Sequence, residues 1–184
     1  MSAHTILLEN RNFKEINPLQ AGWEYCSPGH FFGPASRTYC LLHYVVSGQG
    51  TFLSERKKYQ VGEGQIFVIR PFETTYYEAS QISPWHYIWI GFEMGLPLPD
   101  ALKRDVLTLP QAEPVFTAVR QIPSLPAGKE AFLCGKIWEL MSQLASEEAH
   151  RSSQQKKAYD YVNIAKTYLE TEYMRGISVA ELCK

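Results

Sequence analysis

Between Arg37 and Phe92 the apolar and aromatic residues come in short runs, separated at close, even spacing by turn residues. Arg37–Val46 is β-branched and aromatic and stops at Ser47-Gly48-Gln49-Gly50. Thr51–Ser54, Tyr59–Val61, Gln65–Arg70, Thr74–Ala79 and Trp85–Phe92 follow, broken by Glu55–Lys58, Gly62-Glu63-Gly64 and Pro71. Strands this short, with Gly or Pro between them, predict an all-β barrel or sandwich. Trp23–Cys26, closed by Ser27-Pro28-Gly29, reads as a further strand, and Leu107–Pro110 as a last one. Residues 1–20 are weakly periodic and read as an arm holding one short strand.

After Phe92 the period changes. Gly95–Pro99 carries two prolines, which disfavour helix in the residues before them, and reads as an extended linker. Pro114–Gln121 predicts a short helix with Pro114 in its first turn. Lys129–Ser146 predicts a longer one, because Leu133, Ile137, Leu140 and Leu144 recur at helical spacing and Phe132, Trp138 and Met141 widen the stripe. That stripe suits packing on the barrel, and it equally suits a seam with a second copy of the chain through Leu133, Ile137, Leu140, Met141 and Leu144. Glu147–Gln155 is polar and reads as a linker. Lys156–Tyr173 predicts another amphipathic helix, with Ala158, Tyr161, Val162, Ala165, Tyr168 and Leu169 on one face, ending at Arg175-Gly176. Ser178 and Glu181 have the spacing of a capping box, so a third helix is expected to start there; six residues later the sequence looks cut.

Charge and cysteine narrow the function. With 18 Lys+Arg against 19 Asp+Glu the net charge is -1, which argues against a surface that grips a phosphate backbone by itself. Cys26, Cys40, Cys134 and Cys183 form no C-x-x-C pair and fit a reducing cytosol. The amino terminus has no signal-peptide pattern, and no apolar run approaches membrane-spanning length, so a soluble, cytoplasmic protein is expected.

Several short motifs then line up in order. They are Pro28-Gly29-His30, His43-Tyr44-Val45-Val46-Ser47-Gly48-Gln49-Gly50, Gly62-Glu63-Gly64-Gln65, Ile69-Arg70-Pro71, and Trp85 to Phe92, with YDYVNIAKTYLETEYMRGISVAELCK at the end. Together they resemble an AraC/XylS-type transcription regulator: a ligand-binding cupin domain, then the opening of the helix-turn-helix domain. The resemblance implies a mainly β, cupin-like (jelly-roll) barrel followed by a helix pair. It divides the chain into an arm (1–20), a barrel (21–112), a helical dimerisation segment (113–147), a linker (148–156) and the start of the DNA-binding domain (157–184). The family's remaining DNA-binding portion has no counterpart here, so these residues alone are not expected to contact DNA.

Catalytic chemistry finds little to stand on. Metal-dependent cupin enzymes hold their ion with H-x-H, a nearby Glu and a later His, yet two residues after His43 comes Val45, and the later position falls among Thr74, Thr75, Tyr76 and Tyr77. His4, His30, His86 and His150 show no ligand spacing, and no G-x-S-x-G, P-loop or GxGxxG is present. No metal, cofactor or catalysis is therefore expected. Strand alternation instead puts Trp85, Tyr87, Trp89 and Gly91 on one face of the last long strand, and His86, Ile88, Ile90 and Phe92 on the other. The apolar set suits packing against helices. The Trp/Tyr set suits a pocket, since an aromatic face under sugar C–H groups with polar groups at the hydroxyls is what a saccharide needs.

The same alternation groups Tyr77 with Thr75, and Arg37 and Tyr39 with His43. In an arabinose-responsive member of the family, sugar contacts match His30, Tyr77, Tyr87 and Trp89, although an arginine there is His30 here and a histidine there is Tyr87. The candidate ligand residues are thus His30, Arg37, Tyr39, His43, Tyr77, Trp85, Tyr87 and Trp89. Each has a structural alternative: the tryptophans as barrel filling, Arg37 solvated or paired with an acid such as Glu78, His43 as a satisfied core histidine. The expected function is the effector-sensing and dimerisation part of an AraC-type regulator, with a sugar in the barrel, control of carbohydrate-utilisation genes, and homodimerisation. The alternatives are a metal-dependent cupin isomerase or dioxygenase, and a regulator barrel that answers to a partner protein.

Overall fold

The structure is a computed structural model and describes residues 3–55 and 57–172. Ten strands come first: β1 (His4–Leu7), β2 (Ile16–Tyr25), β3 (Phe31–Ala35), β4 (Cys40–Ser47), β5 (Gln49–Ser54), β6 (Lys57–Gly62), β7 (Gln65–Ile69), β8 (Thr75–Ala79), β9 (His86–Met94) and β10 (Val106–Thr108). They form two sheets, β1-β2-β9-β4-β7-β10 and β3-β8-β5-β6, with every pair antiparallel. Helix α1 (Glu113–Thr117) runs on into a 3-10 segment, Ala118–Ser124, and α2 spans Lys129–Glu172. The architecture is the mainly β, cupin-like jelly roll that the sequence predicts, with its helices toward the C-terminal end.

The six-stranded sheet is the middle layer, and its two faces follow the alternation of β9. Ile88, Ile90 and Phe92 join Leu42, Tyr44, Ile66 and Val68 in a core shared with Phe116, Val119, Leu133 and Ile137 from the helical side. Tyr87 and Trp89, with Trp85 just before the strand, join Leu41, Val45, Phe67 and Ile69 in a second core against Phe52, Val61 and Tyr77 of the smaller sheet. At about 1.5–3 kcal/mol per fully buried large apolar side chain, each face contributes substantially to holding its partner layer.

Several expectations needed revision. The first twenty residues hold one whole strand and the start of a second, and β3 had no forecast at all. Proline hid both. Pro18 lies in β2 where a register shift occurs and beyond the residues that β1 pairs, and Pro34 lies in β3 at the edge of its sheet, the two kinds of place where a strand tolerates a missing N–H. The short helix forecast at Pro114–Gln121 is α1 followed by 3-10 turns to Ser124. The polar stretch Glu147–Gln155, expected as a linker, is helical. It contains neither Gly nor Pro, its Glu, Ala, Arg and Gln cost a helix little, and Arg151 pairs with Glu147 one turn back at 3.1 Å.

By compactness the chain divides between Leu144 and Ala145. In the second unit the described residues are helical, and Tyr159, Tyr161, Val162 and Ile164 are exposed. The C-cap forecast at Arg175-Gly176 and the capping box at Ser178 and Glu181 lie outside the described residues. Leu133, Ile137, Leu140, Met141 and Leu144, the stripe that also suited a dimer seam, are all buried within the chain's own core. Burial against the chain's own sheet is what the barrel-packing reading of the stripe expects.

Candidate functional site

A cavity of about 300 Å³ opens between the two sheets. One wall is β2, whose alternation points Gln20, Gly22 and Glu24 inward. Leu41 and His43 of β4, and Tyr87 and Trp89 of β9, form the floor; Tyr77 of β8 and Phe32 of β3 face them. Arg37, between β3 and β4, and Ala3 and Thr5 of the amino-terminal arm close the rim.

The turn after β2 delivers His30. Ser27-Pro28-Gly29-His30 is closed by the His30 N–H donating to the Ser27 carbonyl at 3.0 Å, and Gly29 has φ +68. Proline at the second position and glycine at a third that needs positive φ are the requirements of a type II turn. The chain therefore reverses, and His30 Nε2 comes to 3.4 Å from Glu24 Oε2. The Tyr87 hydroxyl donates to the same Oε2 at 3.0 Å. Cys26, two residues beyond Glu24 and 4% exposed, completes a group whose carboxylate, thiol and imidazole atoms all lie within 4.8 Å of one another.

His43 sits at the centre of an aromatic cage. Its ring stacks on Phe67 at 4.5 Å, meets Tyr87 edge-on at 5.0 Å and lies 5.1 Å from Tyr77. Burial first, and the Arg37 charge second, hold its pKa well below the usual histidine value, so it is a neutral polar group at pH 7. Its Nδ1 is buried with no hydrogen-bond partner, and so is Nη1 of Arg37. The Arg37 guanidinium rests over Phe32, 4.6 Å from the ring centre, which orients it along the rim. Burial pushes Tyr77 up to about 12 and raises Tyr87 as well, so both phenols stay protonated donors. Chemically, the cavity offers aromatic faces beside a carboxylate, an amide, a guanidinium, a neutral imidazole and two phenols.

Of the eight candidate ligand residues, His30, Arg37, His43, Tyr77, Tyr87 and Trp89 line this cavity, and Tyr39 and Trp85 do not. Tyr39 stands behind the wall, where its hydroxyl accepts from Gln20 Nε2. Trp85 is filling: it is 1% exposed, it stacks on Phe67 at 5.3 Å, and its Nε1 donates to the Val61 carbonyl at 3.0 Å. Thr5, Gln20, Glu24, Phe32 and Leu41 went unforecast. Alternation along Trp23–Cys26 could have flagged Glu24; Phe32 carried no signal. His86, on the opposite face of β9, lies 2.7 Å from Arg120 and stacks on Tyr25 at 3.9 Å, away from the cavity.

Among the described residues no helix is long and apolar enough to cross a membrane. In comparisons with known proteins, the chain is 26% identical over 175 residues to the Msm operon regulatory protein of Streptococcus mutans, covering 89% of this chain and 63% of that protein. It is 27% identical over 190 residues to the raffinose operon transcriptional regulatory protein RafR of Pediococcus pentosaceus, covering 96% of this chain and 68% of that one. The chain thus spans about two thirds of the length of these relatives. Among solved structures, YhaK from Escherichia coli superposes with a TM-score of 0.48 at 13% identity, over 59% of this chain and 51% of that one. The model of the AraC-like ligand binding domain matches residues 17–158, well over half the chain. The chain belongs to that family, and its barrel is the cupin-like ligand-binding domain of an AraC-type transcription regulator.

Proposed function

We propose that the barrel senses a sugar, and that the intact regulator uses this to control genes of carbohydrate utilisation. The observation that carries the reading is the composition of the cavity. Trp89, Tyr77 and Tyr87 offer apolar ring faces, while Glu24, Gln20, His30 and Arg37 offer acceptors and donors around the same space. Buried atoms of Arg37 and His43 that lack protein partners are satisfied by ligand hydroxyls in this reading. The name of one relative, the raffinose operon transcriptional regulatory protein RafR, supports a saccharide. The reading makes the chain a cytoplasmic binding module and assigns it no catalysis.

In the mechanism that follows, ligand orders the arm. Ala3 and Thr5 meet the cavity, and β1 pairs with β2. Farther along, the Glu9 N–H donates to Glu130 Oε1 at 3.1 Å, and Arg11 lies 3.7 Å from Glu130 Oε2. A ligand that favours the docked arm thereby biases contacts at the start of α2, as a population shift requires. The regulator acts as a homodimer in this proposal, through surfaces of the 113–147 segment other than its buried stripe. DNA is read by a C-terminal domain whose opening the segment 157–184 resembles.

A thermal-shift screen of the protein against mono- and oligosaccharides tests the reading. A ligand at a hundred times its Kd stabilises by about 2.7 kcal/mol, or roughly 5–10 °C for a chain of this size. One saccharide class should produce that rise, and Trp89→Ala should abolish it. No rise with any saccharide overturns the sugar reading.

A further inference from the structure

We propose that Glu24, Cys26 and His30 form a divalent-metal site of the zinc type in the cavity wall. The argument begins with the local chain. Glu24 and Cys26 are two residues apart where the extended chain leaves β2, so their side chains share the inward face. The Cys26 N–H still donates to the Trp85 carbonyl at 2.8 Å, which fixes that residue beyond the strand's end. The type II turn then folds His30 back over both. One seven-residue stretch thus presents oxygen, sulfur and nitrogen on a frame held by backbone hydrogen bonds.

The geometry is close to what zinc takes. Its bonds of about 2.0–2.3 Å put neighbouring tetrahedral ligand atoms roughly 3.3–3.8 Å apart. Here the three atoms already lie within 4.8 Å of one another, and His30 Nε2 to Glu24 Oε2 is 3.4 Å. Side-chain adjustment of about an ångström closes the difference. The Tyr87 hydroxyl donates to Oε2 of Glu24, and on binding the ion takes the place of the direct His30–Glu24 contact, so that Nε2 and the carboxylate both turn to the metal. A phenol fixing the carboxylate from behind is the outer-shell support that metal ligands ordinarily have.

Charge and softness select the ion. A thiolate, an imidazole and a carboxylate suit zinc and disfavour magnesium or calcium, which take oxygen ligands alone. When M²⁺ binds, the Cys26 S–H bond breaks, a metal–sulfur bond forms, and the proton leaves to solvent. The carboxylate and thiolate together cancel the two charges of the ion, so the assembled group is neutral and tolerates burial. Glu24 and His30 also line the cavity, so the fourth position faces it and is completed by water or by an oxygen of whatever the cavity holds. A buried cysteine behaving only as a small apolar side chain has no need of a carboxylate and an imidazole beside it. The site does not depend on what the effector is.

The test is a Co²⁺ titration of the full chain, reduced and stripped with chelator, with no saccharide present. The expected result is one equivalent of Co²⁺ giving a thiolate-to-cobalt charge-transfer band and intense tetrahedral visible bands, both removed by Zn²⁺. Cys26→Ser should lose the charge-transfer band, His30→Gln should weaken binding at least tenfold, and Cys134→Ser should change neither. Absence of the band in the wild-type protein overturns the proposal without recourse to any variant. So does a band that survives in Cys26→Ser. Repeating the saccharide screen in chelator keeps the two readings apart, because a sugar shift without a cobalt band leaves the sensor and removes the metal.

Discussion

Trp89 lies where it does because position 22 has no side chain. In β2, Gly22 faces Trp89 of β9 on one side and Thr5 of β1 on the other. A Cβ built on Gly22 would stand 2.2 Å from the His4 carbonyl oxygen, 2.3 Å from Cζ2 of Trp89 and 2.7 Å from its Cη2. The indole therefore occupies the hollow between Gln20 and Glu24, and the arm strand runs directly beside the glycine as its antiparallel neighbour. Gly22→Ala leaves two escapes. Either the indole swings out into the cavity, or β1 lifts from β2, because a backbone carbonyl cannot move without its strand. Overpacking of this kind costs about 1–3 kcal/mol, which for a chain of this size is a fall in Tm of roughly 2–12 °C.

Three readouts distinguish the routes. Displacement of the indole shifts tryptophan emission, loss of the arm exposes residues 1–15 to protease, and either lowers saccharide affinity. Gly62→Ala is the control, since the nearest atom to its Cβ, the Gly48 carbonyl oxygen, is at an ordinary 3.7 Å. If Gly22→Ala melts within about a degree of wild type, with unchanged emission and arm protection, the coupling of arm to indole through this glycine is refuted.

Two further predictions address packing and protonation. Ile137→Ala should cost about 2–5 kcal/mol, because its fully buried side chain packs on the central sheet, and should leave the state of association unchanged; altered association by sedimentation without lost stability would return that stripe to a dimer seam. His43 is held neutral in the fold and takes up a proton more readily when unfolded, so its contribution is complete above the ordinary histidine pKa and is lost as pH falls below it. Between pH 7 and 5.5 urea unfolding should show a loss on the order of 1 kcal/mol from this residue, which His43→Gln removes; a wild-type stability that is flat or rising toward pH 5.5 contradicts the buried neutral imidazole. His86, lowered by burial and then by Arg120, acts in the same direction.

How much of the site was legible turns on what alternation can and cannot carry. It separated the faces of β9 correctly, because that strand is central and its two sides meet different things: helices on one, a cavity and the smaller sheet on the other. It failed for the first half of β2, where Pro18 interrupts the pattern, so that Ile16–Gln20 reads as part of the arm and only the stretch from Trp23 as a strand, and it had no way to bring His30 back to Glu24 except through the turn. The polar run in α2 misled for the opposite reason. None of the described residues of Glu147–Gln155 is buried, so no stripe imposes a period there and only the absence of breakers marks the run as helix.

Alternation also put Trp85 and Trp89 on one face and could not say which of them meets ligand, since a period of two fixes direction and says nothing of depth. Depth comes from the strand that each ring lies against. Trp89 covers Gly22 beside the arm, where it lines the cavity. Trp85 covers Gly50, whose Cβ would stand 2.7 Å from its ring, in the closed half of the barrel beside Phe67. Each indole is seated on a glycine inside another strand, and interior strand glycines mark close approach. Gly50 reads in the sequence as part of a turn, and Gly22 carries no signal of its own. Their use as seats for two tryptophans depends on the pairing of β2 with β9 and on the packing of Trp85 against β5, contacts between residues tens of positions apart that no local pattern encodes.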